Sequence, residues 1–409
     1  MNVKSISRRN FIGRVAAGTT ALALTPVTSI LANPVRNFWP KDAKKYTMYM
    51  IGHGHIDPVW LWPWTEGVSV VLSTFRSALD RIKETRGVVF TSSSAQFYQW
   101  VADNNPGMLQ EIRQRVKEGL WNVVGGWWVE PDMNIPSGEA MVRQGLYGQR
   151  TLEKLVGQRA TVAFNADSFG HPGTLPQIIK KQGMENYVFM RPQKHEKTLP
   201  SNLFWWEGPD GSRVLTYRIP ESYNYGGDED GMRNWVQKFT EYAKEHPVSM
   251  MMVFYGHGDH GGGPTKANIK GITQIQKEKD APNVIFGNVD YYFKEVRALP
   301  ELALPTVKDD LQHHAVGCYS AESEIKKNNR LSEAALVVAE KITAVGSMIW
   351  GAAYPKEDFT KAWKQVLFLQ FHDSLAGSSL MAHSKDAREG YNYALNIAHT
   401  AAAIAAQKL

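Results

Sequence analysis

Short polar clusters that follow apolar, strand-like runs are the feature that most constrains the fold of this chain. The first three clusters, at 53–57, 165–171 and 255–259, each come directly after such a run, and a fourth lies at 371–373. Strand-like runs alternate with helix-like stretches from residue 46 to about residue 286, which predicts an α/β fold built on a parallel-stranded, barrel-like sheet. Carboxyl ends of parallel strands face one crevice, so we expect these clusters to meet there.

The pattern divides the chain into regions. A pair of strand-like runs between 203 and 219 flanks Gly208-Pro209-Asp210-Gly211, which predicts a hairpin inserted into the α/β series. After about residue 331 only helix patterns remain, at 332–350, 356–371 and 384–408, with a loop expected at 372–383. We therefore predict an α/β catalytic domain over 46–328 and a three-helix bundle over 329–409.

The N-terminus has the features of an export signal. Arg8 and Arg9 precede Phe11, an apolar stretch at 15–24 and small residues near Ala32, which is typical of a twin-arginine signal rather than an ordinary basic N-terminus. We therefore expect residues 1–32 to be removed and the protein to be periplasmic or extracellular in a bacterium.

The formal net charge of +6 is largely due to this signal. Four basic residues lie within it, so the mature chain carries +2, which gives no reason to expect a nucleic-acid partner. No later apolar run approaches the roughly 18 residues of a membrane span. The sequence leaves the oligomeric state open.

Any metal site must be built from histidines and carboxylates. Cys318 is the single cysteine of the sequence, which excludes a thiolate-rich zinc site. Imidazole and carboxylate ligands together suit Zn²⁺ or a similar divalent ion.

Alternate residues after the first strand-like run carry metal-binding side chains. His53, His55 and Asp57 share one face of an extended segment, so we expect them to point into the same crevice; the alternative is a histidine network with satisfied hydrogen bonds. Asp167 follows the run at 159–164. It is either a ligand or catalytic group, or the cap of a helix that starts near 173–175.

A glycine-rich loop presents a further carboxylate. The segment 256–263 contains five glycines around Asp259, so its backbone must turn tightly or approach another group closely. A phosphate-binding loop is disfavoured because no lysine follows in register, and a plain surface turn stays open. His372 and Asp373 lie between two helix patterns, where a metal would be their partner.

These motifs together resemble glycoside hydrolase family 38, the retaining α-mannosidases, and in particular its bacterial members. The resemblance rests on 55–60, 167–170, Asp259 in its loop and 372–377, and it also includes 125–132 and 317–320. Family members commonly continue into β-sandwich domains after the helical bundle, whereas this sequence stops at Leu409. The resemblance therefore implies either a minimal form without those domains or a fragment.

The resemblance implies a role for each matching residue. His55, Asp57, Asp167 and His372 would bind one zinc ion, with another divalent cation as an alternative. Asp167 would be the nucleophile and Asp259 the general acid/base. Trp60, Arg191 and Asp373 would contact the sugar, and His53 would orient a neighbouring ligand without binding the metal itself.

The implied reaction is hydrolysis of terminal α-mannosides of glycans through a covalent glycosyl-enzyme. A cation can bind the adjacent 2- and 3-hydroxyls of mannose, and two carboxylates about 5–5.5 Å apart then give retention. The main alternative is a zinc-dependent carbohydrate deacetylase with metal-bound water as nucleophile. Metal-dependent amidohydrolases share the His53-x-His55 pattern but fit Asp57 and the His372 segment poorly. A non-enzymatic carbohydrate-binding protein has no need of so many converging carboxylates.

Overall fold

The computed structural model describes residues 38–407, and the predicted export signal at 1–32 lies outside them. Ten strands and twelve α-helices alternate along the described chain. The predicted α/β fold with parallel strands is confirmed. The domain border predicted between 328 and 329 falls inside a long helix, Ser323–Trp350.

The first sheet carries the strands that lead into two of the polar clusters. Its five strands are β1 (Thr47–His53), β2 (Phe90–Ser92), β3 (Trp121–Val123), β8 (Met250–Tyr255) and β9 (Asn283–Phe286). Their order is β3-β2-β1-β8, with β9 also paired to β1, and every pairing is parallel. Gly52 is in register with Phe90 on one side and with Tyr255 on the other, so β1 and β8 end at the same edge.

The second sheet carries the strand that leads to Asp167. Its strands are β4 (Val162–Asn165), β5 (Asn186–Phe189), β6 (Leu203–Glu207), β7 (Arg213–Arg218) and β10 (Thr306–Val307), in the order β10-β6-β7-β5-β4. The β6–β7 pair is antiparallel and is the predicted hairpin, which is confirmed. Asp210 stabilises its turn by accepting hydrogen bonds from the backbone and hydroxyl of Ser212.

One hydrophobic core lies against both sheets. Ile51 and Phe254 from the first sheet and Phe164, Val188 and Leu215 from the second belong to a single cluster of fully buried side chains. Strands buried on both faces read as continuous apolar runs, which is why the sequence pattern reveals them. The strand ladders among residues 38–407 form two sheets and not one closed ladder, so the predicted barrel is not confirmed.

Helices cover the strands of both sheets. In chain order they are α1 (Trp64–Glu84), α2 (Ala95–Asn104), α3 (Pro106–Lys117), α4 (Gly138–Val156), α5 (Leu175–Lys181), α6 (Glu229–Ala243), α7 (Lys266–Ile275) and α8 (Val289–Arg297). Ser137 caps α4, since its hydroxyl accepts from the backbone N–H of Ala140. Helices α2 and α8 were not predicted.

The C-terminal region consists of α9 (Ser323–Trp350), α10 (Lys356–Leu369), α11 (His372–Ala376) and α12 (Met381–Ala406). Trp363 of α10 donates to Glu340 of α9 over 3.0 Å, and Tyr391 of α12 donates to the carbonyl of Leu369 over 3.4 Å. The loop predicted for 372–383 is wrong in its first half, because residues 372–376 form helix α11. Gly377, at φ +76°, ends this short helix. Of the helices at 38–407, none is long and apolar enough to cross a membrane.

Candidate active site

The predicted site residues converge at the carboxyl ends of the strands. His55 and Asp57 follow β1, Asp167 follows β4, and Asp259 follows β8. His372 opens α11 and reaches the same place because its segment pairs with residues 130–132. Asp132 N donates to the carbonyl of Gln370 over 2.8 Å, which fixes this contact between distant parts of the chain.

The glycine-rich loop packs directly on the segment after β1. Gly256 has φ +124°, and a Cβ at this position would lie 2.1 Å from the carbonyl oxygen of His53. The predicted close approach of the backbone is therefore confirmed. Further along the loop, the backbone N–H of Asp57 donates to the carbonyl of Asp259 over 2.9 Å, so the two segments are hydrogen-bonded at the site.

Three side chains form a group that fits a metal ion. One ligand atom each from His55, Asp57 and His372 lies within 4.8 Å of the others, and all three residues are buried. Nε2 of His55 is 2.9 Å from Oδ1 of Asp57, and Nε2 of His372 is 3.7 Å from the same oxygen. Apart from these mutual contacts, the three atoms are enclosed and have no hydrogen-bond partner. Buried polar atoms normally find partners, so a cation is the group that would satisfy this set.

Glu130 orients both histidines of this group. Its backbone carbonyl lies 2.9 Å from Nδ1 of His372, which places the proton on Nδ1 and leaves the Nε2 lone pair facing Asp57. Its carboxylate Oε2 is 3.6 Å from Nδ1 of His55 and accepts from the backbone N–H of Ala166. Ser93 donates to the other carboxylate oxygen over 2.5 Å. Glu130 is thus a buried anion behind the ligands.

Several carboxylates surround the group. Burial lowers the pKa of His55, but the carboxylates of Asp57 and Glu130 outweigh burial and raise it well above its usual value. Burial raises the pKa of Asp57 to about 6, with Asp167 and Asp259 adding to the effect. Burial likewise raises the pKa of Asp373 to about 7. A site that crowds this much negative charge out of water favours a bound cation.

Asp167 lies beside the three-residue group rather than inside it. Its Oδ2 is 3.8 Å from Nε2 of His372, and its Oδ1 accepts a hydrogen bond from Nε–H of Arg191. The cap of helix α5 is Thr174, so the helix-capping alternative for Asp167 is wrong. Its carboxylate therefore faces the metal-binding group on one side and a guanidinium on the other.

Arg191 is held in turn by a histidine and a glutamate. Its Nη1 lies 3.1 Å from Nε2 of His314, and Nδ1 of His314 lies 2.5 Å from Oε1 of Glu196. Since a guanidinium only donates, Nε2 of His314 must accept and Nδ1 carries the proton toward Glu196. These two contacts, from Glu196 to His314 and from His314 to Arg191, fix the direction from which Arg191 approaches Asp167.

Asp259 is presented by a left-handed backbone conformation, with φ +65°. Its Oδ1 accepts hydrogen bonds from the Tyr223 hydroxyl over 3.1 Å and from Asn224 Nδ2 over 2.9 Å. The Tyr223 ring lies 4.7 Å from the His55 ring, centroid to centroid. Tyr223 therefore connects the acid/base candidate to the metal-binding group.

The remaining predicted residues lie around this centre. Oδ2 of Asp373 is 3.6 Å from Nε2 of His372, and its Oδ1 accepts from the Ser378 hydroxyl over 2.6 Å. Trp60 is half-buried and packs edge-on against Trp62 at 5.8 Å. His53 is not in the metal-binding group; its Nδ1 bonds the carbonyl of Thr91 over 3.0 Å, and its ring is 6.4 Å from that of His55.

Sequence reasoning assigned no role to four residues that shape the site. They are Glu130, Tyr223, His314 and Ser378. Glu130 lies within the 125–132 motif, between two tryptophans and a proline. A charged residue in such apolar surroundings was the signal from which its role could have been inferred. The other three lie in irregular segments that carry no periodicity.

Sequence comparison identifies the family. Residues 45–315 match the sequence model of the glycosyl hydrolases family 38 N-terminal domain. The chain belongs to glycosyl hydrolase family 38. Residues 313–409 match the α-mannosidase middle domain, so the two matches together cover the chain from residue 45 onward.

Relatives with curated names are similar over most of this chain. Alpha-mannosidase G of Dictyostelium discoideum is 33% identical over 83% of the chain and 31% of its own length. Alpha-mannosidase 2C1 of Homo sapiens is 30% identical over 87% of the chain and 35% of its own length. The chain thus spans about a third of the length of these relatives.

A solved structure of the family has the same fold. The crystal structure of an alpha-mannosidase from Enterococcus faecalis V583 superposes with a TM-score of 0.79 at 22% identity, covering 89% of this chain and 42% of that one.

Proposed function

We propose that this protein is a retaining α-mannosidase that removes terminal α-mannosyl residues from glycans. The observation that carries the proposal is the buried group of His55, Asp57 and His372, with Asp167 3.8 Å from His372 and the Asp259 loop hydrogen-bonded to Asp57. Membership of family 38 and the relatives named as α-mannosidases support the same reaction.

Two carboxylates perform the bond changes. In the first step an Asp167 oxygen attacks the anomeric carbon, the bond to the leaving oxygen breaks, and Asp259 donates a proton to that oxygen. In the second step Asp259 takes a proton from water, the water oxygen attacks the anomeric carbon, and the bond to Asp167 breaks. Mannose is released with its configuration retained, and both carboxyl groups return to their starting states.

The surrounding residues prepare these two groups. Arg191 donates to Oδ1 of Asp167, which fixes the orientation of the carboxylate. Tyr223 and Asn224 both donate to Oδ1 of Asp259, so the other oxygen is the one available to carry the proton. Asp373, held by Ser378, and Trp60 provide a hydrogen-bonding group and an aromatic face for the sugar.

His55, Asp57, His372 and Asp167 would hold one zinc ion or a similar divalent cation. Such an ion supplies positive charge for binding two adjacent sugar hydroxyls and stabilising charge that develops on them. Glu130 supports this by orienting the two histidines.

Hydrolysis of an aryl α-mannoside, with and without a chelator, tests the proposal. We expect release of α-mannose, observed by NMR before mutarotation, that is lost with the chelator and in Asp167→Asn. An acetylated amino sugar assayed in parallel separates the deacetylase alternative. Acetate release without mannose release would exclude the mannosidase, and binding of mannoside without turnover would indicate a non-enzymatic protein.

We also infer that the two sheets enclose a barrel-like core beside a C-terminal helical bundle. The shared hydrophobic cluster and the bond from Gly125 N to the carbonyl of Val162, over 2.9 Å, support the first inference. Contacts among α9, α10 and α12 support the second.

Export by the twin-arginine pathway to the periplasm or beyond is a further proposal, supported by Arg8, Arg9 and the apolar stretch after them. Cell fractionation tests it: replacing both arginines by lysine should leave uncleaved protein in the cytoplasm. Continued export of that variant would exclude this route.

A further inference from the structure

A second cavity, of about 580 Å³, lies between α2, α10, α12 and the start of α1. Its lining contains four aromatic side chains, namely Trp64, Trp100, Phe368 and Tyr393, together with several amide and charged groups. None of these residues belongs to the metal-binding group or contributes to the reaction steps described above.

Several residues of the cavity lining are close in sequence to residues of the active site. Gln96 is in the first turn of α2, directly after β2, and Leu369 is the last residue of α10, three residues before His372. Trp64 begins α1 only seven residues after Asp57. The cavity also extends along α10 and α12, toward Lys361 and Tyr393.

A buried histidine with one unsatisfied nitrogen lines the cavity. Nε2 of His383 lies 2.6 Å from the Ser374 hydroxyl, and Ser374 is the neighbour of Asp373. Nδ1 of His383 has no hydrogen-bond partner, although the residue is only 3% exposed. The His383–Ser374 hydrogen bond connects the cavity lining to the segment that carries Asp373.

The aromatic side chains provide flat faces at both ends. Trp64 is 42% exposed and Tyr393 is 46% exposed. Trp100 is held between Phe97, at 6.0 Å and stacked, and Phe368, at 5.8 Å and edge-on. Exposed, positioned aromatic faces with a few polar groups are typical of a site for a ligand with both apolar and hydrogen-bonding surfaces.

Charges of both signs line the cavity, which favours a neutral ligand. Lys361, Asp386 and Glu389 border it together with the amides of Gln96 and Gln365. These groups donate and accept hydrogen bonds without producing a field of one sign, so neither a polyanion nor a cation is preferred. A sugar unit, with apolar ring faces and many hydroxyls, matches this lining.

We propose that this cavity binds a sugar residue of the glycan beyond the bond that is hydrolysed, and so makes the enzyme prefer extended oligosaccharides. The proposal rests on the proposed mannosidase function. The link to the active site is short, since the backbone N–H of Leu380 donates to the carbonyl of Trp60 over 2.8 Å and His383 N donates to Leu380 over 2.9 Å. Trp60 and Trp64 lie on the same short segment, four residues apart.

Steady-state kinetics of Trp100→Ala and Tyr393→Ala on two substrates test the proposal. One substrate is an aryl α-mannoside, which is too short to reach the cavity, and the other is an α-linked manno-oligosaccharide of several residues. We expect KM for the oligosaccharide to rise about tenfold in each variant, as the loss of one aromatic contact implies, with kcat unchanged. Both parameters for the aryl mannoside should stay at the wild-type values.

Trp350→Ala and Tyr291→Ala are matched controls, because these rings are 48% and 45% exposed and lie outside the cavity lining. Unchanged KM for the oligosaccharide in the cavity variants would overturn the proposal, as would equal increases for both substrates. Tyr393 is an exposed helix residue, so its variant keeps the test valid even if Trp100→Ala unfolds. If the wild type hydrolyses neither substrate, the mannosidase proposal fails. Calorimetric titration of the wild type and the same variants with the oligosaccharide then shows whether the cavity residues bind it.

Discussion

Nη1 of Arg191 lies 3.1 Å from Nε2 of His314, and the same guanidinium donates to Asp167 through its Nε–H. Glu196 accepts from the opposite nitrogen of the His314 ring over 2.5 Å. Four residues from three separate segments thus form one hydrogen-bonded chain that ends on the proposed nucleophile. The orientation of Asp167 therefore depends on His314 and Glu196, which act on it through Arg191.

His314→Ala should lower kcat of α-mannoside hydrolysis by about tenfold or more, since a lost hydrogen bond to a charged group costs about 1.5–3 kcal/mol. His314→Gln keeps an acceptor for Arg191 and should recover much of this loss. Steady-state kinetics measure both variants, with His399→Ala, an exposed histidine of α12, as the control. Equal losses in the Ala and Gln variants would argue against a positioning role.

Glu130→Gln should weaken binding of zinc by about 10- to 100-fold, because the buried anion behind His55 is removed. Competition with a chromophoric chelator measures this affinity directly. Glu139→Gln, at an exposed glutamate in the first turn of α4, is the matched control. An affinity equal to that of the wild type would remove Glu130 from the set that supports the metal.

Asp259→Asn should slow hydrolysis by about 10²- to 10⁴-fold for mannosides with poor leaving groups and far less for activated aryl mannosides. Good leaving groups depart without protonation, so they do not need the acid. A series of aryl mannosides of graded leaving-group pKa gives the dependence, with Asp103→Asn on the exposed face of α2 as control. The same loss across the series would exclude Asp259 as the acid.

His246 should make folding less favourable in acid. Burial lowers the pKa of its imidazole to about 4, while Nδ1 bonds the carbonyl of Val248 over 3.1 Å and Nε2 is enclosed without a partner. The ring packs 6.0 Å from that of Tyr217, and Arg218 and Glu245 line the adjoining cavity. The unfolded chain, with a histidine pKa near 6.5, binds the proton more readily than the folded one, so stability is lost as pH falls from about 6.5 to about 4.

Urea unfolding at pH 7, 5.5 and 4.5 measures this effect. Wild-type protein should lose stability toward pH 4.5, and His246→Gln should lose on the order of 1–2 kcal/mol less over the same range, allowing for the partial exposure of the residue. Parallel pH profiles for the two proteins would contradict the assignment. The wild type and His246→Gln differ only at this position, so the other buried histidines contribute equally to the pH dependence of stability in the two proteins.

The sequence predicted the strands that lead into the site well because β1, β4 and β8 are buried apolar runs followed by polar residues, whereas the two-residue β10 was not predicted. Asp57, Asp167 and Asp259 are therefore found where parallel strands end, as expected from topology alone. Helix α2 was missed because its N-terminal residue, Ser94, makes no side-chain capping bond and its sequence mixes aromatic and polar residues. Helix α8 does carry a signal, since Asn288 accepts from the backbone N–H of Tyr291, and that cap was overlooked.

The supporting residues of the site were harder to predict for a physical reason. Glu130 and His314 act on partners 75 and 123 positions away, His55 and Arg191, and no local periodicity reports such contacts. Tyr223 lies in an irregular segment between β7 and α6, where pattern gives no side-chain direction. Motifs reveal the groups that do chemistry, whereas the groups that hold them depend on tertiary packing.

The pairing of residues 130–132 with 370–372 has a consequence for biosynthesis. His372 lies beside His55 and Asp57 where Phe371 bridges to Pro131, so the group is complete only when these two distant segments are packed together. A nascent chain on the ribosome thus has no complete metal centre until its helical C-terminal part has emerged and docked. Binding of an ion by all three residues can therefore follow docking of α11 on residues 130–132 but cannot precede it.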